Sequence, residues 1–174
     1  MSESGPLLVL MGAPGSGKST VGKLLASITG ATLIDTDEVI EQNEGRSVAE
    51  IFIDDGEPFF RRLEAQAVAS AIEQPQSIVS LGGGAVLDPH TRQVLKDRPV
   101  VWLQISADVA SRRVGMQAPR PLLVGNVRTR MITLMAEREP IYRELAKMQI
   151  ATDDRDPGEV AQEIIDWLRN AERL

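Results

Sequence analysis

The sequence predicts an α/β domain, with a mostly parallel β-sheet covered by helices on both faces. Three observations carry that expectation. Short, continuously apolar runs recur along the 174 residues, as in strands buried on both faces. Stretches with helical spacing of apolar residues alternate with them. Polar and glycine-rich segments follow the apolar runs directly, where ligands sit in open α/β sheets.

The first strand is expected over Leu7–Met11, and a helix over Lys18–Thr29 with Val21, Leu24, Leu25 and Ile28 on one face. Gly30 supplies the stop. Ala31–Ile34 is the second strand. The helix after it runs over about 38–44, with Thr36 or Asp37 placed to cap it. Ser47 and Glu50 form a capping box for a short helix ending near Gly56. Pro58 suits the first turn of a helix to about Glu73. Ser77–Leu81 is the third strand, a short helix follows from Asp88-Pro89, and Val100–Ile105 is the fourth strand. A helix from Ser106 or Asp108 stops near Gly115. The stretch over about 115–125, GMQAPRPLLVG, has no clear periodicity and reads as a functional loop or lid. A helix from Val127 to Arg138 is expected to bend or restart at Pro140. Met148–Ala151 is a fifth strand, and Asp156-Pro157 opens a terminal helix.

Length, the absence of a long linker and the absence of internal repeats imply one domain, with residues 1–5 a short frayed end. Net charge is −6 and the pI about 4.9, which argues against broad binding to nucleic acid or anionic membranes. There is no cysteine, so disulfides and thiolate metal sites are excluded. No segment reads as a signal peptide or a membrane span, so the expected compartment is the cytoplasm. The expected state is a monomer.

The motif G-x-x-x-x-G-K-[ST] occurs once, as Gly12-Ala-Pro-Gly-Ser-Gly-Lys-Ser19 followed by Thr20. In such a loop Gly15, Ser16 and Gly17 let backbone N–H groups cradle phosphate oxygens. Lys18 reaches the β- and γ-phosphates, and the Ser19 hydroxyl ligates Mg²⁺. Nucleotide triphosphate binding is therefore expected over Gly15–Thr20. Asp35 and Asp37 follow the second strand and read either as metal and acceptor ligands or as a helix cap. The third strand ends in glycine without an acid, so Asp35 is the better candidate for the metal and Asp37 for the acceptor. Gly82, Gly83 and Gly84 allow a ligand to lie against the backbone and receive its N–H groups. Arg61, Arg120 and Arg138 have settings suited to carboxylate or phosphoryl recognition. Arg120 lies in the irregular loop, where lids commonly carry such a residue. Phe52, Phe59 and Phe60 line a pocket or the core, and the lone His90 reads as a surface residue.

Taken together, GAPGSGKST, DTD, FFRRLE, SLGGGAV, RPLL and MAEREPIYRELA resemble the shikimate kinases in order and spacing, over essentially the whole chain. The resemblance implies a fold of the nucleoside-monophosphate-kinase type: a three-layer α/β/α sandwich with a five-stranded parallel sheet in the order 2-3-1-4-5. It implies transfer of the γ-phosphoryl of ATP to the 3-hydroxyl of shikimate, with Mg²⁺, in the pathway to chorismate. Lys18 and Ser19 then match the ATP and Mg²⁺ residues, and Asp35 the metal-side acid. Asp37 matches the acid that binds the shikimate hydroxyls, and Arg61 and Arg138 the pair that holds its carboxylate. Gly82, Gly83 and Gly84 match the substrate-binding glycines, and Phe52 and Phe60 would pack against the ring. Arg120 matches the lid arginine, and Arg113 and Pro157 the positions that flank adenine. The acidic run Asp153–Asp156 and the segment 116–118 depart from the family pattern and leave the adenine contacts and the lid open. A gluconate-kinase-like enzyme or a nucleotide-binding regulatory module would share the phosphate loop, but neither should carry the DTD, GGG and RPLL set.

Overall fold

The computed structural model describes residues 5–117 and 124–174. Five strands form one parallel sheet: β1 (Leu8–Met11), β2 (Thr32–Asp35), β3 (Ser77–Ser80), β4 (Val100–Gln104) and β5 (Met148–Ala151). Their order is β2-β3-β1-β4-β5, as expected. In register, Leu8 pairs with Ile78 on one side, and Val9 with Val100 on the other.

Alternation along the strands builds two cores. Leu8 and Leu10 of β1 point to one face, with Ile78, Val101, Leu103 and Ile150. There they meet Val21 and Leu25 of helix α1 (Lys18–Thr29) and Ile164, Ile165 and Leu168 of the terminal helix α8 (Pro157–Asn170). Val9 and Met11 point to the opposite face, with Val79 and Trp102. That face is covered by α4 (Glu57–Ala71), α5 (Pro89–Leu95) and α7 (Val124–Leu145). Both faces of β1 and β3 are fully buried, which is why these strands are uninterrupted apolar or small-residue runs rather than alternating ones. Deleting one such side chain, as in Leu25→Ala, costs about 2–5 kcal/mol.

A separate cluster of Ile40, Ile51, Phe60 and Ala67 joins α2 (Thr36–Glu44), α3 (Val48–Asp55) and α4 at the β2 side of the molecule. The capping box is formed: Ser47 Oγ accepts from Glu50 N at 3.1 Å, and Glu50 Oε2 accepts from Ser47 N at 2.7 Å. Helix α6 (Ala107–Gln117) precedes α7.

Three local expectations are corrected. Helix α2 begins at Thr36, and its cap is Asp35, whose Oδ1 accepts from Asp37 N at 2.9 Å and Glu38 N at 3.3 Å. A carboxylate one residue earlier reaches the free N–H groups of the first turn, so neither Thr36 nor Asp37 is needed there. Helix α7 runs through Pro140 without restarting. The tertiary contacts of Tyr142 and Leu145, both buried against the sheet, outweigh the missing backbone donor. The aperiodic stretch is also shorter than expected, because α6 extends to Gln117 and α7 begins at Val124. The rest of the expected lid, including Arg120, lies outside the described residues. A short 3₁₀ turn over Ala85–Leu87, absent from the expectation, follows the glycines.

Candidate active site

The phosphate loop joins β1 to α1 at the carboxyl edge of the sheet. Gly17 is the N-cap of α1 at φ 93°, a backbone geometry that only glycine adopts without strain. With no side-chain cap, the first N–H groups of α1 stay available to an anion. Lys18 turns back along the loop, and its Nζ donates to Gly12 O at 2.7 Å and Ala13 O at 3.1 Å. Burial pushes its pKa down to about 8, against the opposing pull of Asp37 and Asp35. Ser16 is buried under the loop, whereas Ser19 and Thr20 are exposed on the first turn. Arg113, half-buried on α6, donates from Nη1 to Gly15 O at 2.9 Å and so ties α6 to this loop. Pro157 is exposed in the first turn of α8.

Two aspartates of the acidic run before α8 accept from backbone N–H groups. Asp153 Oδ1 accepts from Ser106 N at 2.9 Å, ahead of α6. Asp156 Oδ1 accepts from Gly158 N at 2.7 Å and caps α8. Arg155 pairs with Glu163 at 2.9 Å. Asp153, Asp156 and Arg155 thus serve helix termini and one surface ion pair.

Beside the phosphate loop stands the glycine turn after β3. Pro14 and Arg138 both face Gly83, since a Cβ there would lie 3.1 Å from Pro14 Cδ and 3.1 Å from Arg138 Nη1. A Cβ on Gly82 would lie 2.7 Å from Glu64 Oε2 and 2.9 Å from Asp37 Oδ1. One on Gly84 would fall on the Arg61 guanidinium. The three glycines therefore gather Asp37, Arg61 and Arg138 from three different helices. Within the turn, Gly82 N donates to Thr36 Oγ1 at 3.2 Å, and Gly82 O accepts from Ala85 N at 3.1 Å. Gly84 O accepts from Leu87 N at 3.1 Å, and Gly83 O from the Tyr142 hydroxyl at 2.5 Å. The N–H groups of Gly83 and Gly84 are left without a partner among the described residues.

Two buried polar atoms in this region also lack a partner: Asp37 Oδ1 and Arg138 Nε. Unpaired buried polar atoms are costly and rare. Burial pushes the Asp37 carboxyl above its usual range, Asp35 adds to that, and Lys18 opposes it. Arg138 is only 6% exposed. Arg61 is half-buried and pairs with Glu64 at 2.7 Å and Glu57 at 3.1 Å. Burial pushes the Glu64 carboxyl up, and Arg61 draws it back down.

Phe60 is buried in the α2–α4 cluster. Phe52 is half-exposed and stacks on it with ring centroids 4.7 Å apart, so Phe52 offers the accessible aromatic face and Phe60 backs it. His90 is exposed at the start of α5.

Three residues escaped the sequence reading as site residues. Thr36 is fully buried and bridges Ser80 O and Gly82 N, tying α2 to the glycine turn. Glu64 lies one helical turn after Arg61, a spacing that signals an ion pair but not its burial. Tyr142 lies four residues after Arg138 on the same face of α7.

The residues also fit a magnesium–nucleotide complex. Mg²⁺ is usually held by one or two protein oxygens together with substrate phosphates and water. Ser19 has an exposed hydroxyl, and Asp35 commits Oδ1 to capping with no described bond to its other oxygen. No group of three or more His, Cys, Asp or Glu side chains able to hold a metal ion occurs among the described residues.

A family model described as shikimate kinase matches residues 14–169. The shikimate kinase of Mycobacterium tuberculosis is 47% identical over 165 residues, covering 94% of this chain and 94% of that protein. That of Rhodococcus jostii is 45% identical over 161 residues, covering 92% of this chain and 96% of that protein. Among solved structures, the shikimate kinase from Acinetobacter baumannii in complex with shikimate superposes with a TM-score of 0.89 at 31% identity, over 98% of this chain and 96% of that one. By sequence and by fold, this chain belongs to the shikimate kinase family.

Proposed function

We propose that the chain transfers the γ-phosphoryl of ATP to the 3-hydroxyl of shikimate through the two half-sites that meet at Gly83. The donor half is the phosphate loop. Its N–H groups over Gly15–Thr20 and the Lys18 ammonium hold the phosphates, with Arg113 and Pro157 flanking the adenine. Lys18 exchanges its bonds to Gly12 O and Ala13 O for phosphate oxygens, and the added negative charge raises its lowered pKa. Ser19 and Asp35 would hold Mg²⁺, which would neutralise charge on the transferring group. Arg120, outside the described residues, is the arginine that the resemblance assigns to the phosphates.

The acceptor half is the glycine turn and its surroundings. Shikimate carries a carboxylate and three hydroxyls. Arg61 and Arg138 bind the carboxylate, the N–H groups of Gly83 and Gly84 donate to ligand oxygens, and Phe52, backed by Phe60, packs against the ring. Asp37 accepts the hydrogen bond of the reacting hydroxyl, orients it toward the γ-phosphorus and receives its proton during transfer. The raised pKa suits that task, since a more basic carboxylate is a better proton acceptor than an ordinary one.

The observation that carries this reading is the orphaned pair, Asp37 Oδ1 and Arg138 Nε, around a turn with two uncommitted N–H groups. An anionic polyol satisfies all of them together. The test is ADP release from ATP with Mg²⁺, with and without shikimate. Acceleration by shikimate, lost on chelation of the metal, is expected; a rate equal to that in buffer overturns it. A gluconate-kinase-like specificity would appear as acceleration by gluconate instead.

A further inference from the structure

The chain has one tyrosine, Tyr142, and it is 2% exposed. Its hydroxyl donates to Gly83 O at 2.5 Å, across 59 residues of sequence. The other carbonyls of the glycine turn are fixed within the turn's own backbone. Gly82 is held by Thr36 and Ala85, and Gly84 O by Leu87. The carbonyl of Gly83 is therefore the one that the turn's own backbone leaves unfixed.

A peptide unit is planar and trans, so its carbonyl and the next N–H point in opposite directions. Fixing Gly83 O toward α7 therefore aims the Gly84 N–H away from α7. Arg138 lies one helical turn earlier on α7, and its guanidinium faces Gly83. The same helix thus positions both a cation and a backbone donor.

From this geometry we propose that Tyr142 is a positioning residue for the acceptor half-site, holding the Gly83–Gly84 peptide so that its N–H is presented to shikimate. The proposal rests on the acceptor reading given above. Tyr142 leans on Trp102, with centroids 5.6 Å apart, but a cavity of about 130 Å³ lined by Ala13, Trp102, Met135 and Tyr142 itself lies beside it. Without the hydroxyl the ring has room to relax into that cavity, and Gly83 O loses its described hydrogen-bond donor. Burial pushes the phenol above its ordinary pKa, and the nearby Arg138 opposes this, so the donor proton stays in place around neutral pH.

The test is Y142F, measured beside a wild-type enzyme whose shikimate-dependent ADP release has been established. That order separates failure of the positioning role from failure of the acceptor reading. The expected result is a rise of about tenfold in KM and Kd for shikimate, with KM for ATP within about twofold of wild type. Unchanged shikimate affinity overturns the proposal, and so does an equal loss for both substrates. Biosynthetic replacement of tyrosine by 3-fluorotyrosine labels position 142 alone. Its ¹⁹F resonance should move on adding shikimate, and a resonance that shikimate leaves in place overturns the proposal even if Y142F fails to fold.

Discussion

Arg61 donates from Nη1 to Glu64 Oε1 at 2.7 Å, in an ion pair whose acid is almost wholly buried and whose base is half-buried. On its solvent side the same guanidinium pairs with Glu57, an exposed residue, at 3.1 Å. Glu64 anchors Arg61, while Glu57 competes with any incoming carboxylate.

The two acids should therefore respond differently to mutation. Glu57→Gln removes only an exposed competitor, worth about 0.2–1 kcal/mol, so shikimate should bind up to about fivefold more tightly. Glu64→Ala leaves a partly buried arginine without its anchor and should cost about 3 kcal/mol of stability. Calorimetric titration with shikimate and urea denaturation distinguish them; tighter binding by the Glu64 variant would reverse the assignment.

Asp37→Asn should lower kcat by about 10²–10⁴-fold while ATP still binds. It should also stabilise the fold, because the charged carboxylate is held in a desolvated place beside Asp35. The sign follows from linkage. A carboxyl whose pKa is raised on folding disfavours the native state once pH exceeds its unfolded value. The gain is thus full above the folded pKa and fades as pH falls toward the unfolded one. At pH 7 a rise of about 2–4 °C in Tm is expected, equivalent to about 1 kcal/mol. Normal turnover in this variant would remove Asp37 from the chemistry.

The Lys18 pKa near 8 predicts a basic limb in the pH profile of kcat/KM for ATP. The free enzyme binds phosphate best with Lys18 protonated, so kcat/KM should fall as pH rises through about 8. In the ATP complex the phosphates favour the ammonium, and the corresponding limb of kcat should move to higher pH. Identical limbs in both profiles would contradict that assignment.

Gly82→Ala places a methyl group against two carboxylates, with Glu64 Oε2 at 2.7 Å. Glu64 is buried and paired, so it has little room to retreat. Loss of about 1–3 kcal/mol of stability is expected, together with weaker shikimate binding. Wild-type stability and affinity would show that the turn is softer than its contacts imply.

Apolar runs and helical spacing were enough to place all five strands and the principal helices, because a doubly covered sheet buries both faces of its inner strands. Asp35 was harder to read. Its side chain caps α2, and the sequence Asp-Thr-Asp offers three residues able to do so. Pro140 suggested a break that packing of Tyr142 and Leu145 overrides. Asp37, Arg61, Arg138 and the glycines could be nominated from motif spacing. Their convergence was implied only by the family resemblance, since they come from elements far apart in the chain. Glu64 and Thr36 were missed because a charged or hydroxyl side chain on a helix ordinarily faces water, and nothing local marks these two as buried.

The strand order has a consequence for how the protein is made. Strand β1 is synthesised first but lies in the middle of the sheet, and its neighbours are β3 and β4. Strand β2, the only other strand before residue 77 among the described residues, pairs with β3 alone. A nascent chain lacking residues from 77 onward therefore has no native partner for β1. Its phosphate loop, strung between β1 and α1, has no sheet to stand on. Nucleotide binding should emerge late in translation, once β4 has left the ribosome, and until then the apolar segment Leu8–Met11 is an unpaired edge for chaperones to shield.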